Sequence, residues 1–156
     1  MLFRSGGPIV RNKLHFFGAY EGTHQNTTQV VNTLGLFPAE DGIFDVTFKE
    51  HLVTGKLSAN ATSTQYVALL YARDGNTQPT GAGLRAARSS WATSTNAFNS
   101  LNANHNWVVA QKYLNEFVFQ YSTFVNDIPA AGTAPNITFP NRVTTGTRDR
   151  KSTRLN

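Results

Sequence analysis

The segment Tyr113-Leu-Asn-Glu-Phe-Val-Phe-Gln-Tyr-Ser-Thr-Phe-Val-Asn126 sorts its side chains at a period of two, and that period constrains the chain more than any other feature. Tyr113, Phe117, Phe119, Tyr121 and Val125 fall on one side, while Glu116, Gln120, Ser122 and Asn126 fall on the other. An aromatic-rich face backed by a polar one over about ten residues has the length and texture of a strand that crosses an outer membrane. A half-buried strand of a soluble sandwich alternates in the same way.

The preceding segment, Ser100-Leu-Asn-Ala-Asn-His-Asn-Trp107, places Ser100, Asn102, Asn104 and Asn106 on one face and Leu101, Ala103 and Trp107 on the other. Asn is depleted in ordinary strands. A row of carboxamides is tolerated only where that face meets water, which either a barrel lumen or an open solvent face supplies. The short break around Ala110-Gln111-Lys112 predicts a tight hairpin between the two strands.

Similar texture runs through the rest of the chain. Pro8-Ile-Val and 14–22 read as a hairpin about Arg11-Asn12-Lys13, with Leu14, Phe16, Gly18 and Tyr20 opposed to His15, Ala19 and Glu21. A strand is predicted over 52–59, a short turn over 60–64, and a further strand over 66–73. That last segment is apolar on both faces and is assigned as strand from its length and flanking turns. Segments 23–46 and 74–94 read as long loops from their polar, Gly- and Pro-containing composition. Another loop follows residue 127, with a strand stub at 136–140. Strict alternation of short and long connections is the pattern of an up-and-down membrane barrel, in which the long connections are extracellular.

Composition is compatible with that class. Charged residues make up 15%, well below the roughly 25% of ordinary soluble domains. The net charge of +5 would draw attention to nucleic acid, but Arg142, Arg148, Arg150, Lys151 and Arg154 crowd the C-terminal end and no basic stripe interleaves with stacking aromatics. Cysteine is absent, which excludes disulfides and thiolate metal sites. No run approaches the roughly 18 apolar residues of a membrane helix, and the N-terminal residues lack the apolar region of a signal peptide. Residues 148–156 differ in texture from everything before them. They read as a non-native tail resembling translated sequencing adapter, and are set aside from fold and charge reasoning.

Gly6-Gly7-Pro8-Ile9-Val10-Arg11-Asn12-Lys13, followed by Phe16-Phe17-Gly18 and Tyr20-Glu21-Gly22, resembles the early barrel of TonB-dependent receptors of the Oar-like, carboxypeptidase-regulatory type. Thr54-Gly55-Lys56-Leu57, Tyr71-Ala72-Arg73, Asn96-Ala97-Phe98-Asn99-Ser100 and Leu114-Asn115-Glu116-Phe117 resemble later strands of that barrel, in the same order. The likeness spans residues 5–145. It implies an all-β, partial up-and-down antiparallel transmembrane barrel, with residues 1–147 supplying about six strands of a larger, plugged one. It further implies a bacterial outer-membrane location and import of a bulky nutrient such as a siderophore, glycan or peptide. The implied partners are outer-membrane lipid, the remaining barrel strands, the plug, and the TonB complex contacted through a region outside these residues.

Chemistry-bearing motifs are sparse, and neither catalytic residues, a cofactor nor a metal is expected. His15, His24, His51 and His105 are too dispersed for a local metal motif. Glu40-Asp41 and Asp45 read as solvated loop carboxylates. Gly81-Ala-Gly83 lacks the strand-before, helix-after context of a phosphate cradle, and no Gly-x-Ser-x-Gly elbow is present. Trp107, at a strand end, suits an aromatic girdle. The competing expectation is a soluble all-β binding module, carbohydrate-binding, with Trp91 and the tyrosines as stacking platform. The residues that would contact a substrate are not legible under either expectation.

Overall fold

The computed structural model describes residues 1–147 and 151–155. The fold is all-β, in keeping with the alternation. Strands β1 (Leu2–Val10), β2 (Leu14–Val31), β3 (Gly42–Thr62), β4 (Gln65–Thr80), β5 (Ala92–Val109) and β6 (Tyr113–Ile128) lie side by side in chain order, each antiparallel to the last. A small ribbon, β7 (Ile137–Thr138) with β8 (Thr144–Thr145), forms a second sheet. The short strand β9 (Lys151–Leu155) pairs with β6. The seven-stranded sheet is open among the described residues, with β1 and β9 at its edges. It is therefore not a closed barrel.

The short connections are tighter than the sequence suggested. Between β5 and β6, Ala110 and Gln111 both adopt positive φ (50° and 57°), and Lys112 N–H donates to Val109 O at 3.1 Å. Two consecutive left-handed residues make a type I′ turn, whose twist matches that of the paired strands. Between β1 and β2, Asn12 takes φ 59° and Lys13 N–H reaches Val10 O at 3.0 Å. The expected 60–64 turn contracts to Ser63 and Thr64, with an irregularity in register between Asn60 and Thr62.

The long connections require correction. Residues 23–31 and 42–46 are paired strand, as are 74–80 and 92–94, so the loops are 32–41 and 81–91. The reason is that residues 23–29 and 74–80 are polar on both faces and so carry no hydrophobic alternation, while 42–46 pairs with 27–31. Thr, Gln and Val residues continue the ladder there, aided by bonds such as Thr27 Oγ1 to Val46 O at 3.1 Å and Thr47 Oγ1 to Asn26 Oδ1 at 3.0 Å. Likewise the strand expected at 52–59 extends over Gly42–Thr62, and that at 66–73 over Gln65–Thr80. The stub at 136–140 reduces to Ile137–Thr138. The expected non-native tail falls partly on residues 148–150 and 156, outside the described residues. Its remainder forms β9, and pairing along an open edge accepts almost any extended segment.

Directly paired residues share a face, so the register sorts the sheet completely. One row reads Gly7, Phe16, Leu57, Leu69, Ala103, Phe119, and the next toward the loops reads Ser5, Gly18, Gly55, Tyr71, Leu101, Tyr121. These rows form an apolar face. Behind them run Phe17, Lys56, Leu70, Asn102, Gln120 and Ala19, Thr54, Ala72, Ser100, Ser122, which form the polar face. No residue in the middle of the sheet is buried on either side, and Phe16, Leu57, Leu69 and Phe119 are all exposed.

The register between β5 and β6 gives a direct test. The Ser100→Cys/Ser122→Cys double variant joins Cα partners, whose separation of about 4.5–5.5 Å lies within disulfide range. Mild oxidation should crosslink it within one chain. Ser100→Cys/Thr123→Cys places the second thiol on the opposite face and should stay reduced; equal crosslinking of both would overturn the register.

Candidate functional site: a loop-capped polar face

Burial is concentrated at the loop end. Among the described residues, Val31, Thr33, Ala87, Ser90, Trp91, Ala92, Ser94, Val143 and Gly146 are buried and form a small core. Of these, Val31, Ala92 and Ser94 lie on strands and belong to the polar face, as does Phe44, which meets Trp91 edge-on with ring centroids 6.0 Å apart. The loops thus fold over the polar face and leave the apolar face bare.

Local chemistry explains why this cap holds together. Trp91 Nε1 donates to Ala86 O at 3.1 Å, so the indole is buried with its polar atom satisfied. The Arg88 guanidinium lies 4.8 Å above its ring. Asp41 accepts from Thr33 N–H at 2.5 Å, and Glu40 accepts from Ser89 N–H at 2.7 Å and Ser89 Oγ at 3.0 Å. Asn32 N–H donates to Leu84 O, and Ala87 N–H to Thr144 O, which ties the three loop segments to one another. Gly146 (φ 82°) completes the packing: a Cβ there would collide with the Pro135 carbonyl.

Immediately beneath the cap, one row of the polar face reads Thr23, Glu50, Asn76, Asn96, Asn126. Its carboxamides are linked: Asn96 Nδ2 donates to Asn76 Oδ1 at 2.8 Å, and Asn126 Nδ2 donates to Asn96 Oδ1 at 2.6 Å and to Ser94 Oγ at 3.1 Å. The adjoining row reads Glu21, Leu52, Asp74, Phe98, Phe124, and Asp74 Oδ1 is buried without a hydrogen-bond partner. Glu21, Glu50 and Asp74 therefore share one polar surface with three amides. Such a surface can accept and donate hydrogen bonds to a polar ligand; it offers no paired nucleophile and base.

The candidate residues read from sequence are dispersed. His24 Nε2 bonds Asn26 Oδ1 at 3.0 Å and His51 Nδ1 bonds Tyr20 OH at 2.7 Å, both on the apolar side beyond the aromatic band. His15 faces the polar side opposite Ser58, whereas His105 pairs with Val67 on the apolar side. No group of three or more metal-ligating side chains converges among the described residues. Glu40 and Asp41 are internal acceptors of the cap and not solvated loop carboxylates, and Asp45 sits on the apolar side opposite Thr28. Gly81 and Gly83 lie in the second loop, followed only by the three-residue turn Arg88–Ser90. Trp91, at 2% exposure, is unavailable as a stacking platform. Trp107 is exposed at the turn end of the apolar face.

Trp91→Ala should remove roughly 3–5 kcal/mol from the cap. Amide exchange at Asn32, Ala87 and Thr144 should accelerate by about two to three orders of magnitude, with Leu57 and Leu69 unchanged. Equal acceleration at the sheet centre would mean that cap and sheet unfold as one unit.

No family model, curated protein or solved structure matches the chain.

Proposed function

We propose that this chain is a stretch of the wall of an outer-membrane barrel, part of a TonB-dependent receptor of the Oar-like type that imports a bulky nutrient such as a siderophore, glycan or peptide. The carrying observation is an antiparallel sheet with no cover on either side, one face apolar and the other polar, joined by tight turns at one end and capped by loops at the other. In water such an apolar face would aggregate; against lipid it is the stable surface. Energy coupling, the plug and the TonB partner rest on the family resemblance alone.

Two belts of aromatics on the apolar face favour lipid over a soluble partner. Trp107 and Tyr113 mark the turn end, and Tyr20, Tyr71 and Tyr121 mark the other. From Tyr113 to Tyr121 the strand rises about 27 Å, or about 20 Å once tilted by roughly 40°. That approaches the roughly 25 Å apolar band of an outer-membrane barrel. The polar face then lines the lumen, and the cap covers its outer mouth. Import through such a pore involves no covalent chemistry on the part of these residues; they shape and hydrate the passage.

Face assignment can be measured by urea titration of the protein inserted in lipid vesicles. Phe119→Arg should destabilise by roughly 2–4 kcal/mol and Gln120→Arg by much less. Equal costs would show that the two faces meet the same medium and would remove the barrel reading.

Sidedness follows from the same reading. Because the chain has no cysteine, Leu36→Cys in the first loop and Ser63→Cys in a tight turn are clean reporters, and both native residues are exposed. On intact cells a membrane-impermeant maleimide should label Cys at 36 and spare Cys at 63. The reverse pattern would invert the topology.

A further inference from the structure

Charge changes sign between faces at two points of β3 and β4. Lys49 and Glu50 are adjacent in sequence and point to opposite sides, and so do Arg73 and Asp74. In these two pairs the cation falls on the apolar side and the carboxylate on the polar side, whereas Asp45 on the apolar side and Lys56 on the polar side run the other way. Lys49 and His51 follow one another along β3, and Arg73 lies diagonally across from His51 on β4, since His51 pairs with Gly75 and Arg73 with Val53. Each of these steps is about 7 Å. All three side chains are exposed. The carboxylates of this face stand apart: Asp45 is nearer the loops than Lys49, and Asp127 shares the Lys49 row but lies three strands across, about 14 Å away.

Directly on the membrane side of these cations the apolar face is grooved. Gly18 and Gly55 pair with one another, and a Cβ at either would meet nothing within 4 Å. The groove, about 340 Å³, is lined by Phe16, Phe17, Gly55, Leu57, Leu69 and Tyr71, with Lys56 at its margin. Tyr71 is two residues from Arg73 on the same face, and its hydroxyl donates to Asn99 Oδ1 at 3.1 Å, the atom that also accepts from Arg73 Nη1 at 3.4 Å. A cationic cluster above an apolar slot is complementary to one molecule: a phosphate joined to an acyl chain.

We propose that this face holds a phosphate-bearing lipid at the loop-side margin of the apolar band, its phosphate against Arg73, His51 and Lys49 and one acyl chain in the slot opened by Gly18 and Gly55. The site rests on the barrel reading, because only there does the apolar face meet a bilayer. Two cations near an anionic headgroup favour it by about thirtyfold over a zwitterionic one. Glycine at position 55 then serves the slot by the space that it leaves, although Gly in a strand interior otherwise weakens it.

Native mass spectrometry of the full chain released from detergent, titrated with phosphatidic acid or phosphatidylcholine, tests the site. One phosphatidic acid should be retained with about thirtyfold preference. Lys49→Gln/Arg73→Gln should abolish the preference, and Gly55→Val, which fills the slot without a positive φ to strain, should weaken retention of both lipids. Arg4→Gln, which removes a cation from the polar face, should change neither. Inorganic phosphate should not compete, since it cannot occupy the slot. In parallel, brominated acyl chains should quench fluorescence that disappears in Trp107→Phe. Quenching without lipid preference would overturn the phospholipid site and leave the barrel reading standing; absence of quenching would overturn both. A preference that survives Lys49→Gln/Arg73→Gln would also reject the site.

Discussion

Everything in this molecule depends on the phase of the backbone ladder. From β2 to β6 each strand pairs with the next so that aromatic and aliphatic residues meet across every junction on one side, while the amides, hydroxyls and most carboxylates gather on the reverse, interrupted there by Phe17, Leu70 and the Phe98–Phe124 pair. A slip of one residue at any junction would throw Phe16, Leu57, Leu69 and Phe119 onto both faces at once. No buried core lies between two layers to correct such a slip. The contrast between the two faces and the tight turns, such as that at Ala110 and Gln111 with its two left-handed residues, must fix the register by themselves.

The loop cap is the exception that shows the rule. Trp91, Val31 and Val143 provide the protein-like interior that the sheet lacks, and they do so over the polar face alone. Covering the polar face at its loop end while leaving the apolar face bare makes the two sides of the sheet unequal in structure as well as in composition. The amide row Asn76, Asn96, Asn126 and Asp74 Oδ1, buried without a hydrogen-bond partner, sit directly beneath that cover.

How much of this was legible in the sequence follows from what alternation can and cannot signal. The strands through the apolar band were visible because Phe117, Phe119 and Tyr121 contrast with Glu116, Gln120 and Ser122. Their extensions were not, because residues such as Thr23, Gln25, Thr27 and Gln29 are polar on a face whose neighbours are polar too, and a strand wetted on both sides has no period in hydrophobicity. The cap was invisible for a different reason: Val31, Ala87, Trp91 and Val143 are brought together by three separate loops, and no spacing along the chain records that meeting. Glu40 and Asp41 looked like free loop carboxylates because their partners, Ser89 and Thr33, are chosen by the packing of the cap. The charge sorting was present in Lys49-Glu50 and Arg73-Asp74, but it acquires meaning only once β3 and β4 are known to continue past the aromatic belt.

The strand order bears on how such a sheet comes into being. Each strand from β2 to β6 pairs with its predecessor in the chain, and no later segment is inserted between earlier ones. A growing sheet can therefore accept one hairpin at a time at a single advancing edge, with β1 left behind as a fixed margin. Assembly of this kind follows the order in which the chain is delivered, so that nothing already laid down has to reopen.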